Sequence, residues 1–162
     1  MSKVAVAAVL AGLLLCGCDS PRRKSTSAAT STSTPVLGAV GCHPPSPLSA
    51  ASGLPEVQGT ADGSGSLWGL IFGSAPLRVG TQVKIVWRMT GSGALSVVPF
   101  GPDGAPRQLA WGPGYHTSSS YHRPGEEWET GLNFDVAGCW RIRLTRTTGR
   151  ASVYFEVAPK PQ

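Results

Sequence analysis

Helical periodicity is missing from most of this sequence. From Cys42 to the C-terminus, no stretch has apolar residues at the spacing of an amphipathic helix over two turns. This absence argues against helical bundles and against α/β folds, in which strands alternate with helices. The sequence instead has 21 glycines and 14 prolines, which are typical of the turns that join short strands.

The sequence also lacks an apolar run long enough to make a permanent transmembrane helix at its start. The uncharged apolar run from Val4 to Leu15 follows Lys3 and ends before the polar residues that begin at Asp19. A helix that spans a bilayer needs roughly 20 residues. A positive charge followed by a short apolar run is typical of a secretory signal peptide. We therefore expect the protein to be exported.

The end of this run, Leu15-Cys16-Gly17-Cys18, resembles the lipobox of bacterial lipoproteins. In that family a Leu, a small or neutral residue and a Gly or Ala precede the cysteine that carries the lipid. The resemblance implies that residues 1–17 are a signal peptide and that Cys18 is lipidated. It also implies a protein anchored in the cell membrane by this lipid and facing outside the cytoplasm. The alternatives are an ordinary cleaved signal peptide with two incidental cysteines and a short uncleaved anchor.

Large apolar side chains are almost absent from the segment that follows. Ser, Thr and Ala fill nearly every position from Ser25 to Pro35. Such a segment cannot bury enough apolar surface to offset the entropy that is lost on ordering. Residues 18–41 are therefore predicted to form a disordered tether. Its basic residues Arg22, Arg23 and Lys24 could contact anionic headgroups or could simply be solvated.

Charge is scarce in the part that is expected to fold. From Cys42 onward there are ten Lys and Arg residues and eight Asp and Glu residues, which give a net charge of +2. Proteins that bind nucleic acid usually concentrate basic residues on one face. The sequence therefore predicts no nucleic-acid partner.

Few cysteines are left for the folded region. If Cys16 leaves with the signal peptide and Cys18 carries the lipid, only Cys42 and Cys139 remain. An exported chain matures in an oxidising compartment, where such a pair normally forms a disulfide. A zinc site that uses these two cysteines and His43 is the alternative, but no second closely spaced Cys or His completes a ligand set.

Alternation of apolar and polar residues predicts β-strands in several places. The segment Thr81–Met89 shows it most clearly, and Gly91-Ser92-Gly93 then predicts a hairpin with residues 94–100. Residues 42–55 are predicted to be an extended lead that is stiffened by prolines. The side chains expected to face the core are Val83, Ile85, Trp87, Met89, Trp128, Leu132, Phe134, Trp140, Ile142 and Leu144.

About seven short strands in roughly a hundred residues predict an all-β fold, an immunoglobulin-like β-sandwich. The domain is expected to span residues 42–158, with a C-terminal tail at residues 159–162. The segment Gly138-Cys139-Trp140-Arg141-Ile142 resembles the Gly-x-Tyr-x-aliphatic strand near the end of many bacterial immunoglobulin-like domains. This resemblance covers only the last three strands. Trp140 replaces the usual Tyr, so the tyrosine-corner hydrogen bond does not carry over.

Catalytic motifs are also absent. The sequence has no Gly-x-Ser-x-Gly elbow, no His-Glu-x-x-His pair and no phosphate-binding glycine loop. Ser118, His122 and Glu126 have the residue types of a catalytic triad, but such types are common on polar loops. We therefore predict neither an enzyme nor a cofactor.

The segment from Gly112 to Gly125 shows no apolar periodicity and is predicted to be the one long loop of the domain. It could be a structural cover that Trp111 and Trp128 close over one end of the domain. It could hold a metal through His116, His122 and Glu126. It could also be an aromatic surface that contacts a protein or a glycan. The candidate ligand-binding residues are Trp111, Tyr115, His116, Tyr121 and His122.

Taken together, these patterns predict a lipid-anchored extracytoplasmic binding or structural module, with a possible protein or glycan partner at residues 111–127. The alternative is a small secreted hydrolase or metal-binding protein that uses the loop with His116 and His122.

Overall fold

Nine β-strands make up the ordered framework of the described part of the chain. The computed structural model describes Cys42, residues 44–51 and residues 53–162. The predicted signal peptide, Cys18, the tether and His43 lie outside the described residues. The strands are β1 (Leu48–Ala51), β2 (Leu54–Ala61), β3 (Leu67–Phe72), β4 (Gln82–Met89), β5 (Ser96–Phe100), β6 (Trp111–His116), β7 (Glu126–Asn133), β8 (Gly138–Arg146) and β9 (Gly149–Val157).

All neighbouring strands are antiparallel, and they follow the order β5-β8-β9-β2-β3-β4-β7-β6, with β1 paired to β2. Strand β2 belongs to both halves of this sheet, because Glu56–Gly59 pairs with β3 whereas Thr60 and Ala61 pair with β9. We call the half with β1, β2, β3, β4, β7 and β6 sheet A, and the half with β5, β8, β9 and the end of β2 sheet B.

The all-β prediction is confirmed for the described residues, in which the sheet is nearly closed into a barrel. The structure has nine strands where the sequence predicts about seven, and β2 runs without a break from one half to the other. The finer prediction of an immunoglobulin-like sandwich is not confirmed by this arrangement. Among the described residues, no helix has the length and apolar character needed to cross a membrane.

The core lies between the two halves, and the sequence predicts its main residues. Each of the ten side chains expected to face inward is at most 4% exposed. The two largest satisfy their polar atoms, since Trp87 Nε1 donates to Thr130 Oγ1 at 2.8 Å and Trp140 Nε1 donates to the carbonyl of Val136 at 2.9 Å. Gly69 on β3 makes room for this packing, because a Cβ there would lie 2.6 Å from the Trp87 ring.

The predicted hairpin between β4 and residues 94–100 is wrong. Both edges of β4 are occupied, by β3 and by β7, so β5 pairs with β8 in the other sheet. Gly91 makes this crossing possible. Its φ is 110°, and a Cβ at this position would lie 2.5 Å from the carbonyl oxygen of Thr148.

Two segments that the sequence predicts to be irregular contain strands. The lead from Cys42 to Pro55 includes β1 and the start of β2, which pair through their backbones although β1 buries almost no side chain. The predicted loop from Gly112 to Gly125 begins as β6, whose pairing with β7 is irregular between Trp111 and Gly114. An edge strand tolerates Pro113, which has no N–H to donate. Only residues 117–125 remain as a loop, which we call the capping loop.

Candidate functional site

A disulfide joins Cys42 to Cys139, the pair that the cysteine count predicts. The two residues are 97 positions apart in the sequence and their Cα atoms are 4.9 Å apart. The Cys42 sulfur also lies 3.2 Å from the carbonyl oxygen of Phe155 on β9. Because a disulfide sulfur carries no hydrogen, this is a packing contact. The bond therefore fixes the start of the folded chain beside the last strand.

The capping loop packs onto the outer face of sheet A. Tyr121 is only 8% exposed and lies against Leu70 and Val86, with Trp68 at the margin of the same small apolar cluster. The expectation that Tyr121 is exposed is therefore wrong, while its ligand contact stays a prediction. Its aromatic ring covers apolar positions of the outer sheet face, a role that the loop sequence does not reveal.

A buried carboxylate fastens this loop. Glu56 is fully buried and receives two hydrogen bonds from Arg123, at 2.9 and 2.7 Å, and one from the Tyr121 hydroxyl at 2.8 Å. Burial raises the pKa of Glu56, but hydrogen bonds from Arg123, Tyr121 and Ser49 outweigh it and hold the pKa below 4.5. Burial has the largest effect on the pKa of Tyr121 and raises it, and the hydrogen bond to the Glu56 carboxylate raises it further. These contacts favour a structural role for the loop.

A second polar group lies beside the loop, around Glu127. The Ser119 hydroxyl donates to Glu127 at 2.6 Å, and Arg88 donates to the same oxygen at 3.2 Å. His116 Nδ1 is 3.2 Å from Glu127, and its Nε2 is 3.2 Å from Glu129. Hydrogen bonds from Lys84 and then His116 lower the pKa of Glu129. Since the serine proton is directed to a carboxylate rather than to a histidine, this is not the arrangement of an activated nucleophile.

The structure brings only part of the predicted site together. A pocket of 140 Å³ is bordered by His116, Ser119 and Tyr121. The candidates Trp111 and Tyr115 lie on the edge strand β6 and do not border this pocket.

The remaining candidates are scattered. Trp111 is 38% exposed and its indole lies over Gly131, so it does not close an end of the domain. Tyr115 is 56% exposed and stacks on the buried Trp128, with ring centroids 5.6 Å apart. His122 is exposed on the capping loop. The predicted ligand Glu126 pairs with Arg146. Within residues 42, 44–51 and 53–162, no group of three or more His, Cys, Asp and Glu side chains is placed to hold a metal ion.

A larger cavity, of 420 Å³, lies where the lead, the β3–β4 connection and the end of β9 meet. We call it the apolar crevice. Its floor is formed by side chains of the core, Ile71, Leu77 and Phe155. The residues around it are Pro45, Ser46, Pro47, Leu48, Ile71, Ala75, Pro76, Leu77, Tyr154, Phe155, Glu156 and Ala158.

Two of the six large apolar side chains that are exposed in the described residues border this crevice. Leu48 is 53% exposed and Tyr154 is 37% exposed. Ser46 of the lining is engaged with the backbone, because it donates its N–H to the carbonyl of Tyr154 and accepts from the N–H of Tyr154 on its hydroxyl oxygen, both at 2.9 Å. The crevice therefore exposes apolar surface that an apolar ligand would cover.

Backbone hydrogen bonds hold the walls of the crevice in place. Gln58 donates to the carbonyl of Pro47 at 3.0 Å, and Ala158 donates to that of Leu77 at 2.8 Å. The sequence does not reveal this site because its lining comes from three segments that are distant in the chain. The one local signal is the proline cluster in the lead, which stiffens the wall that contains Leu48.

Comparisons with known proteins leave the family open. No protein-family model matches the chain, and no curated protein matches its sequence. Among solved structures, the chain is similar to one from Bacillus anthracis that is described as a “Putative Lipoprotein”. The identity is 11%, the match covers 70% of this chain and 85% of that chain, and the TM-score is 0.43. This similarity is too low to assign a fold family or a function.

Proposed function

We propose that this protein is a lipoprotein, anchored through Cys18 in the cell membrane and facing outside the cytoplasm, whose β-domain binds a ligand in the apolar crevice. Two features support the anchored location. The Leu15-Cys16-Gly17-Cys18 segment has the lipobox pattern. The Cys42–Cys139 disulfide is typical of proteins in an oxidising compartment, which an exported protein reaches.

The observation that carries the binding function is the crevice itself. Protein interiors are packed densely and leave few voids larger than a water molecule. A cavity of 420 Å³ that reaches the core residues Ile71 and Phe155 is within the size range of ligand sites. Its exposed apolar border, with Leu48 and Tyr154, points to a ligand with an apolar chain or ring.

We propose a binding function without catalysis. The polar side chains that line the crevice are Ser46, Tyr154 and Glu156, and Ser46 is already engaged with the backbone of Tyr154. At the capping loop, the Ser119 hydroxyl donates to Glu127. In neither place is a serine hydroxyl hydrogen-bonded to a histidine, so the hydrolase alternative that uses His116 and His122 gains no support from the geometry.

A substitution that fills the crevice tests this function. Ala75 is exposed at the border, so Ala75→Trp should place an indole over the opening without disturbing the core. The probe is dodecanol, titrated by calorimetry into the full chain with Cys18→Ser and without detergent. We expect binding to the parent chain and at least tenfold weaker binding to Ala75→Trp.

The matched control is Ala94→Trp, which adds the same ring at an exposed position outside the crevice lining. It should bind dodecanol like the parent chain. Absence of dodecanol binding to the parent, or equal binding by both tryptophan variants and the parent, would contradict the proposal.

A second candidate function is contact with a protein or a glycan at residues 111–127. The exposed rings of Trp111 and Tyr115 on the edge strand favour it, because aromatic faces stack on sugars and on peptide groups. A glycan array or a pull-down with the full Cys18→Ser chain would test it. Binding that survives the double substitution Trp111→Ala/Tyr115→Ala in a folded protein would exclude this surface, whereas the control Tyr154→Ala should leave the contact unchanged.

A further inference from the structure

Acidic partners are distributed unevenly among the basic side chains of the described residues. Five of these cations form ion pairs with acidic side chains: Lys84, Arg88, Arg107, Arg123 and Arg146. Within the same part of the chain, five basic residues form no such pair: Arg78, Arg141, Arg143, Arg150 and Lys160. Three of these, Arg141, Arg143 and Arg150, lie on β8 and β9, at positions that alternate with buried residues. The outer face of sheet B therefore carries three arginines that have no ion-pair partner among the described residues.

The structure arranges these arginines. Arg141 and Arg143 both lie over the ring of Phe100, with guanidinium carbons 4.5 and 4.8 Å from its centroid. This stacking restricts their side chains and so lowers the entropy that binding would cost. Arg143 and Arg150 also border a surface concavity of 350 Å³. The other residues of this concavity are Thr60, Asp62, Ala151, Ser152 and Tyr154.

The donors in this concavity suit an anion. Two guanidinium groups are accompanied by the hydroxyls of Thr60, Ser152 and Tyr154, and such groups bind carboxylate and phosphate oxygens. Asp62 is the one acidic residue of the lining, and it forms no ion pair with either arginine. The concavity therefore keeps a net positive charge.

Tyr154 connects the concavity to the apolar crevice. It borders both cavities. Its cross-strand partner is Arg141, and the next residue on the same face of β9 is Ser152, which is paired with Arg143. In the other direction along β9 the crevice is bordered by Glu156. Apolar and positively charged surface thus meet on the two sides of one tyrosine ring.

We infer that the ligand of the apolar crevice is an anionic amphiphile. Its acyl chain would lie in the crevice, and its acidic head group would pass Tyr154 to bind Arg143 and Arg150. This inference rests on the proposed function, because it names the ligand class of the same crevice. A carboxylate and a phosphate head group share the chemistry that the arginines recognise, so both a fatty acid and a lipid phosphate satisfy it.

Three probes with one chain length separate the head group from the tail. Dodecanol, dodecanoate and dodecyl phosphate are titrated at pH 8 and low salt, below their micelle concentrations, into the full chain with Cys18→Ser. We expect both anions to bind at least threefold more tightly than the alcohol, since exposed charge pairs each contribute modestly. Whichever anion binds more tightly identifies the source of the head group as carboxylate or phosphate. The preference should weaken at high salt.

The variant Arg143→Gln/Arg150→Gln should bind each of the three probes only as tightly as the parent chain binds dodecanol. The control Arg22→Gln/Arg23→Gln removes the same charge from the N-terminal segment and should keep the preference. Equal binding of the three probes by the parent, or a preference that persists in Arg143→Gln/Arg150→Gln, would overturn the inference and leave the crevice proposal intact. If no probe binds the parent, the proposed function fails and the inference fails with it.

Discussion

At the scale of single residues, Glu56 explains why the capping loop is ordered. A fully buried carboxylate is costly unless its charge is compensated, and Arg123 and Tyr121 from the loop provide this compensation. The loop therefore closes over Glu56, and its aromatic residue Tyr121 becomes part of the fold. The sequence shows the residue types of the loop but not that their partner is a glutamate 65 residues upstream of Tyr121.

The substitution Glu56→Gln should lower the free energy of unfolding by about 1.5–3 kcal/mol at pH 7, the usual range for hydrogen bonds to a charged group. The folded-state pKa of Glu56 is below the ordinary value of 4.5, so its stabilisation is present above that value. It is lost as the pH falls through the lower folded-state pKa. The difference in the free energy of unfolding between wild type and Glu56→Gln, measured by urea titration, should therefore shrink below pH 4.5.

A control for this experiment is Asp62→Asn, which alters an acidic side chain without an ion-pair partner in the described residues. Its stability at pH 7 should stay within about 0.5 kcal/mol of wild type. A Glu56→Gln deficit that is the same at pH 7 and at acidic pH would show that the lost stability does not come from the charge.

At the scale of elements, regular alternation predicts strands and their inward faces but not their partners. Val83–Met89 and Trp140–Leu144 alternate clearly, and their inward residues are buried as expected. β1 and β6 are missed because Ser, Ala, Gly and Pro take half or more of their positions and break the alternation, and edge positions need backbone pairing more than apolar side chains. The sequence does not reveal the partner of β5. A short glycine turn predicts a hairpin between the two strands that it joins, and this holds only where both strands have free edges.

The candidate site is harder to predict than the fold. Of the five ligand-binding candidates, the structure gathers His116 and Tyr121 at one pocket and leaves Trp111, Tyr115 and His122 elsewhere. The apolar crevice is assembled from the lead, a strand connection and the last strand. Contacts between such distant segments are tertiary, and no local pattern encodes them.

The lead and β9 form one wall of the crevice, and the disulfide links this wall to β8. In the Cys18→Ser chain, Cys139→Ser should lower the free energy of unfolding by about 4–5 kcal/mol, since a loop of nearly 100 residues is no longer closed in the unfolded state. Because Cys42 then no longer holds the lead, binding of dodecanol should also weaken. Denaturant titration and calorimetry measure the two effects.

For Cys139→Ser, stability and dodecanol binding have to be compared in the same protein. Ala94→Trp serves as the control, since it leaves both the disulfide and the crevice lining unchanged. A folded Cys139→Ser protein that loses stability but binds dodecanol like the parent would show that the lead does not shape the crevice.

At the scale of the whole molecule, the charges divide between the two halves of the sheet. On sheet A, Lys84, Arg88 and Arg123 all have acidic partners. On the outer face of sheet B, Arg141, Arg143 and Arg150 have no such partner among the described residues, whereas Arg146 of β8 is buried and pairs with Glu126. A net charge of +2 from Cys42 onward conceals this division, which is why the sequence analysis finds no basic surface. An anchored domain with an apolar crevice beside such a surface would be suited to bind an acidic lipid near the membrane.

Anchoring through Cys18 makes a separate prediction for the whole protein. Cells that express the chain with radiolabelled palmitate should incorporate label into it, and Cys18→Ala should abolish this incorporation. Cys16→Ala should retain the label, because Gly17-Cys18 still provides the cleavage and lipidation positions. Label that persists in Cys18→Ala would contradict the proposed anchor.

The central claim is that the apolar crevice is the ligand site, and methyl NMR tests it most directly. Dodecanoate is added to the full Cys18→Ser chain with labelled Ile, Leu and Val methyl groups. The claim predicts shifts at Leu48, Ile71 and Leu77, which border the crevice, and unchanged signals from Leu70 and Val86 under the capping loop. Shifts confined to Leu70 and Val86, or no shifts at saturating dodecanoate, would contradict it.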